Sequence, residues 1–159
     1  MKIFGKPLSE YIAFAKLFLI LVPLTGIIRL LLSLQGYPVE SVRWVSMTAV
    51  GFLGVIYFAI RTQTTGFGGY KELLVLCALQ NLTSQVVSIV GISQAMISGV
   101  TNIYSSPEFA FGASPKAHVL AHIFIGTTLG SVVPWLFGCL VLFVTRKALG
   151  DRRTALNPQ

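Results

Sequence analysis

Apolar residues run along this chain in long uninterrupted stretches, separated by short segments rich in glycine, proline and charge. A helix that crosses a bilayer needs ~20 mostly apolar residues. Four stretches reach that length: residues 11–34, 42–60, 72–100 and 117–145. No charge falls between Arg43 and Arg61 or between Glu72 and Glu108, and the last stretch is uncharged apart from any protonated histidine. The stretches are continuous and lack the two-residue alternation of a barrel strand, so they predict helices. Pro23 and Pro134 lie inside the first and last and are expected to bend them. Lys16, near the start of the first, reaches the interface along its own alkyl stem.

The breaks carry turn chemistry: Gly36-Tyr37-Pro38, then Gly66-Phe67-Gly68-Gly69, then a longer loop from Ser105 to Pro115. The pattern predicts an all-α integral membrane protein, a four-transmembrane-helix up-down bundle. It forms a single domain over residues 1–150, and residues 151–159 form a short, loose cytoplasmic tail. Lys2 and Lys6 ahead of an apolar run resemble the start of a signal peptide. Lys16 interrupts that run, however, and no small-residue cleavage site follows it, so a retained helix is expected.

Composition strengthens this picture. The hydrophobic share is 54% against 11% charged, and the mean hydropathy is +0.78. A soluble domain carries roughly a quarter charged residues. The formal charge of +7 does not point to nucleic acid, because the basic residues sit at the ends of apolar runs and not in a patch interleaved with aromatics. An even number of spans puts Lys2, Lys6, Arg61, Lys71, Arg146, Lys147, Arg152 and Arg153 on one side. Arg43, Lys116 and the deeper Arg29 fall toward the other. The positive-inside rule then expects both termini in the cytoplasm, with the chain in the cell (inner) membrane. Cys77 and Cys139 fall inside apolar runs and read as small core residues.

Polar groups inside apolar runs are the strongest functional pointers, because lipid offers them no partner. Gln80, Asn81, Thr83, Ser84 and Gln85 form a dense patch in the third run. At helical spacing Gln80 and Ser84 share one face, which Ser88 extends, and Asn81 and Gln85 share the next. Such groups serve as interhelical hydrogen-bond glue or line a polar path. The Asn81-Leu82-Thr83 glycosylation pattern is expected to be fortuitous at that depth. Gly51 and Gly54, then Gly91, Ala95 and Gly99, then Gly126 and Gly130, give small-residue spacings that let backbones approach closely, within the chain or against another subunit.

The only histidines, His118 and His122, are four residues apart at the head of the last run. That spacing puts both on one helical face. The zinc-protease motif is absent, because Val119 and not Glu follows His118. A closed metal site needs two more ligands, and Glu108 is the acidic residue nearest in sequence. A haem with both histidines as axial ligands is not expected, since one helical face cannot present both sides of a ring. A single-histidine haem, a haem shared between subunits, a metal ion and a quinone remain open, and no cofactor is assigned. By depth, His118 is expected at the water interface, and Arg29, Gln94 and His122 are expected to converge on one pocket open to the outside. Tyr104, Phe109 and Phe111 suit an interfacial flap or docking surface. The Gly- and Thr-rich segment from Arg61 to Glu72 lacks the ending of a phosphate loop and reads as a turn.

There is no paired-carboxylate site, no nucleophile beside a base, and no acidic residue in mid-run. The chain is therefore not expected to be an enzyme or an ion-coupled pump. The first expectation is a structural or accessory subunit, a binding scaffold within a homo-oligomer or larger membrane complex. A redox subunit binding a cofactor through His122 and His118 comes second. A small oligomeric transporter or channel along the third helix comes third.

Overall fold

The computed structural model describes residues 2–106 and 114–156, the stretch 150–156 as backbone alone. Six α-helices are present among the described residues: α1 (Leu8–Leu34), α2 (Val39–Val42), α3 (Met47–Thr64), α4 (Tyr70–Ser98), α5 (Pro115–Ala121) and α6 (Thr127–Leu156). A π-helical turn, His122–Gly126, carries α5 into α6 without a break. Four helical segments are long and apolar enough to cross a membrane: Leu8–Leu34, Val39–Thr64, Tyr70–Ser98 and Pro115–Leu149.

Local chemistry sets the boundaries. The second apolar run does not begin its long helix at residue 42. The short α2 ends there, and α3 starts five residues later, where the Ser46 side chain caps it by accepting from the Ala49 amide at 3.2 Å. Helix α4 begins where Glu72 reaches back to the Gly69 amide at 2.6 Å. It ends at Gly99, whose φ of 72° turns the chain out of the helix. Ser114 caps α5, with Pro115 in the first helical position where its missing N–H costs nothing. Helices α1 and α6 continue through Pro23 and Pro134, and α6 extends past residue 150 into the segment expected to be a tail.

One element has no precursor in the hydrophobic pattern. Strands β1 (Lys2–Ile3) and β2 (Lys6–Pro7) pair antiparallel, Lys2 opposite Pro7 and Ile3 opposite Lys6. Phe4 and Gly5, at φ 47° and 85°, supply the left-handed two-residue turn. The Tyr11 hydroxyl donates to Ile3 O at 3.0 Å and ties this hairpin to α1.

Helix α1 touches α3 and α4, and α6 touches the same two. Their shared interior is layered. At one end Tyr11, Phe18, Phe58, Leu73, Leu76 and Leu142 form an apolar core. At the other, Val22, Met47, Val87, Ile92, Ile103 and Tyr104 form a second. The polar run of α4 lies between them. Apolar side chains also cover the outside, including Leu24, Ile28 and Leu31 on α1 and Leu136, Leu140 and Phe143 on α6.

The second core is locked by the loop after α4. Asn102 is buried; its Nδ2 donates to Gly91 O at 2.7 Å and Gln94 Oε1 at 2.8 Å, and its Oδ1 accepts from the Tyr104 amide at 2.8 Å. Tyr104 is therefore an interior residue and not the interfacial aromatic its loop position suggested. Its ring lies against Gly91, where a side chain would overlap it, and its hydroxyl donates to Gly26 O at 2.9 Å. Tyr104→Phe, which removes that bond and a weak 3.7 Å contact of the hydroxyl with Met47 Sδ, should cost about 1 kcal/mol. Tyr104→Ala, which leaves a ring-sized void, should cost about 3–5 kcal/mol. Unfolding of the detergent-solubilised variants measures both; equal losses would mean that the ring does not fill the core.

Candidate functional site

The polar run of α4 works on two sides. On the first, Gln80 faces α3 and donates from Nε2 to Gly51 O at 2.8 Å. Gly51 and Gly54 make the room. A methyl group at Gly51 would stand 3.2 Å from Gln80 Nε2, and one at Gly54 would overlap Gln80 Oε1 and the Phe18 ring. Gln80 Oε1 is buried and accepts no hydrogen bond among the described residues.

On the second side, Asn81 and Gln85 face α6. Asn81 Nδ2 is shared among Gly126 O, Thr127 O and Ser131 Oγ, each at 3.0 Å. That orientation leaves Asn81 Oδ1 as an acceptor, which Gln85 Nε2 fills at 2.9 Å while also approaching Gly126 O at 3.2 Å. Gln85 Oε1 then faces His122 Nδ1 at 2.6 Å. An amide oxygen only accepts, so Nδ1 carries the proton, and the neutral imidazole keeps an unprotonated Nε2. The backbone carbonyls of the π-helical turn and the start of α6 thus fix a histidine tautomer through two amide side chains.

Gly126 and Gly130 permit this approach: a side chain at Gly126 would strike Gln85, and one at Gly130 would strike Asn81. The π-helical turn aligns them. Four α-helical residues advance ~40° beyond a full turn, so residues 118, 122, 126 and 130 would drift off one face. A turn closed to the fifth residue advances less per residue and takes back part of that drift. His122, Gly126 and Gly130 consequently all meet α4.

Above this network a cavity of about 700 Å³ opens between the end of α1, the start of α3, α4 and α5. Arg29, Glu40, Ser88, Tyr104, His118 and His122 are among its lining residues. Ser84 and Gln85 also line a second cavity of about 290 Å³, which reaches Gln80, Asn81 and Gly51. Its inner end meets Val55 and Cys77 of the first apolar core. The Arg29 guanidinium stands 5.7 Å from the Tyr104 ring centroid. Burial pushes the Tyr104 phenol up to about 12, with Arg29 pulling the other way, so the hydroxyl is a neutral donor.

The structure brings Arg29, His118, His122, Ser84 and Gln85 to this cavity and leaves Gln94 out. Gln94 instead ties the loop, donating to Ser98 Oγ at 2.8 Å and accepting from Asn102. His118 is not at the open interface its position suggested: it is only 3% exposed, its ring 5.0 Å from that of His122. Glu40 and Arg43 join the lining from the short helix α2 and its C-terminal end, and Tyr104 from the loop after α4, where periodicity carries no signal. Glu108, Phe109 and Phe111 lie outside the described residues. Among the described residues, no group of three or more His, Cys, Asp or Glu is assembled to hold a metal ion.

Comparison of the chain with protein-family models, curated proteins and solved structures returns no match.

The amide chain should behave as a unit. Asn81→Ala and Gln85→Ala are each expected to cost about 1–2 kcal/mol, the upper range for polar contacts between apolar helices. The double variant should fall short of their sum by about 0.5 kcal/mol or more. Strict additivity in unfolding experiments would mean that the two amides act independently.

Proposed function

We propose that this chain is a small multi-pass protein of the cell (inner) membrane that serves as a binding scaffold. Its four long helices cross the bilayer as an up-down bundle, with both termini in the cytoplasm. The observation that carries the reading is the polar cavity, about 700 Å³, set into one end of a protein whose outer surface is otherwise richly apolar. An apolar exterior suits lipid. A roomy polar recess inside it suits a ligand, or a group inserted by a partner chain of the same complex or homo-oligomer.

The charge distribution supports the orientation. Lys6 lies 4.8 Å from the Phe67 ring centroid, Lys71 lies 5.8 Å from that of Phe4, and Arg146 donates to Gln63 Oε1 at 2.7 Å. These basic groups mark the end away from the cavity, and the positive-inside rule assigns that end to the cytoplasm. The cavity then faces outward. A channel through one chain is less favoured, because the inner cavity ends against Val55 and Cys77, which belong to the apolar core with Phe58 and Leu76. Packing against further subunits draws no support from Gly51, Gly54, Gly126 and Gly130, which face Gln80, Gln85 and Asn81 of this same chain.

Cysteine accessibility tests the reading. In a Cys77→Ser/Cys139→Ser background, Glu40→Cys and Ser88→Cys should react with a membrane-impermeant maleimide added outside intact cells. Thr65→Cys should react only after permeabilisation. Labelling of Thr65→Cys from outside would reverse the orientation, and a Ser88→Cys protein that never reacts would mean the cavity is closed to water.

A further inference from the structure

We propose that His118 and His122 form the protein's half of a transition-metal site, a Zn²⁺-type ion bound by two imidazoles and completed by water or a small anion from the cavity. The inference rests on the reading of that cavity as a ligand site.

The two histidines lie one helical turn apart with ring centroids 5.0 Å apart and planes inclined by 33°, a spacing from which both imidazoles can reach one ion. Two independent observations leave their ring nitrogens available. The Gln85 amide oxygen holds the His122 proton at Nδ1, which leaves Nε2 unprotonated. Metal-binding histidines are oriented in this way, donating through one nitrogen and ligating through the other. His118 is 3% exposed, its imidazole lines the cavity, and that ring makes no hydrogen bond among the described residues. Imidazole nitrogen suits zinc, copper and nickel.

The surroundings define the remaining ligands. Two neutral imidazoles leave the charge of the ion uncancelled, while Arg29 and Arg43 line the same cavity beside the carboxylate of Glu40. Water, hydroxide or a small anion therefore takes the other positions. The site is open, unlike a structural zinc site closed by four side chains. The contact with Gln85 makes it a positioning residue.

The test uses the untagged full chain in mild detergent, titrated with Zn²⁺ by calorimetry and assayed for bound metal after desalting. One ion per chain is expected. His118→Gln should weaken binding about tenfold or more, and the His118→Gln/His122→Asn double variant should abolish it. Gln85→Leu should weaken it about 10–100-fold, and Gln85→Glu, which keeps an acceptor for the His122 proton but loses the donation to Asn81 and Gly126, should bind more tightly than Gln85→Leu. Cys77→Ser/Cys139→Ser should bind as the wild type does. His118→Gln must keep the wild-type melting temperature, so that its loss of binding is not a loss of fold. The proposal is overturned by the absence of saturable binding, by binding that survives in the double histidine variant, or by binding that needs the cysteines. Maleimide labelling of Ser88→Cys without Zn²⁺ binding overturns the metal site and leaves the cavity reading standing. Zn²⁺ binding that depends on both histidines without such labelling supports the site and overturns the open cavity.

Discussion

A polar side chain placed among apolar helices needs its hydrogen-bond partners from the protein itself. Asn81 meets that demand by reaching the backbone of the neighbouring helix, at Gly126 and Thr127, and the Ser131 hydroxyl. Everything else in the centre of the molecule follows from this contact. It fixes the direction of the Asn81 amide, which fixes Gln85, which fixes the proton of His122. The contact is short because glycine stands at positions 126 and 130, where any side chain would occupy the space of an amide. Polar residue and glycine are thus two halves of one device, and Gln80 with Gly51 and Gly54 repeats it toward α3.

The layered interior gives the two ends of the molecule different characters. Aromatic and aliphatic side chains close one end: Tyr11, Phe18 and Phe58 are buried there with Leu73 and Leu76. At the other end the helices are held by a loop, with Asn102 and Tyr104 buried beneath them, and a polar cavity remains beside that plug. The π-helical turn keeps His122 in line with the glycines that anchor its helix to α4.

Long-range geometry accounts for most differences between pattern and structure. Gln94 and His122 sit at similar depth by residue count. Gln94, however, lies on a part of α4 that answers to Asn102, and only the azimuth of the helix decides this. His118 reads as a solvated residue at a helix head, yet α5 lies against α4 and buries it. Tyr104 reads as an interfacial aromatic, yet Gly91 and Gly26 form a slot that takes its ring and hydroxyl inward. In each case residue type and depth are legible along the chain, and the neighbour that captures the side chain is not.

The amino-acid sequence alone determined the four helices long and apolar enough to cross a membrane, the first two turns between them and the identity of the polar residues among them. These properties depend on local composition and on spacing along one chain. Tertiary structure decided which of those polar residues meet. It split the second run at Ser46, added the N-terminal hairpin and a π turn, turned the glycines toward α4 amides, and brought Arg29, His118 and His122 to one cavity. The physical reason is that a hydrogen bond or a close backbone approach is settled by the rotation of two helices about their axes, and that rotation is fixed only when all the helices pack together.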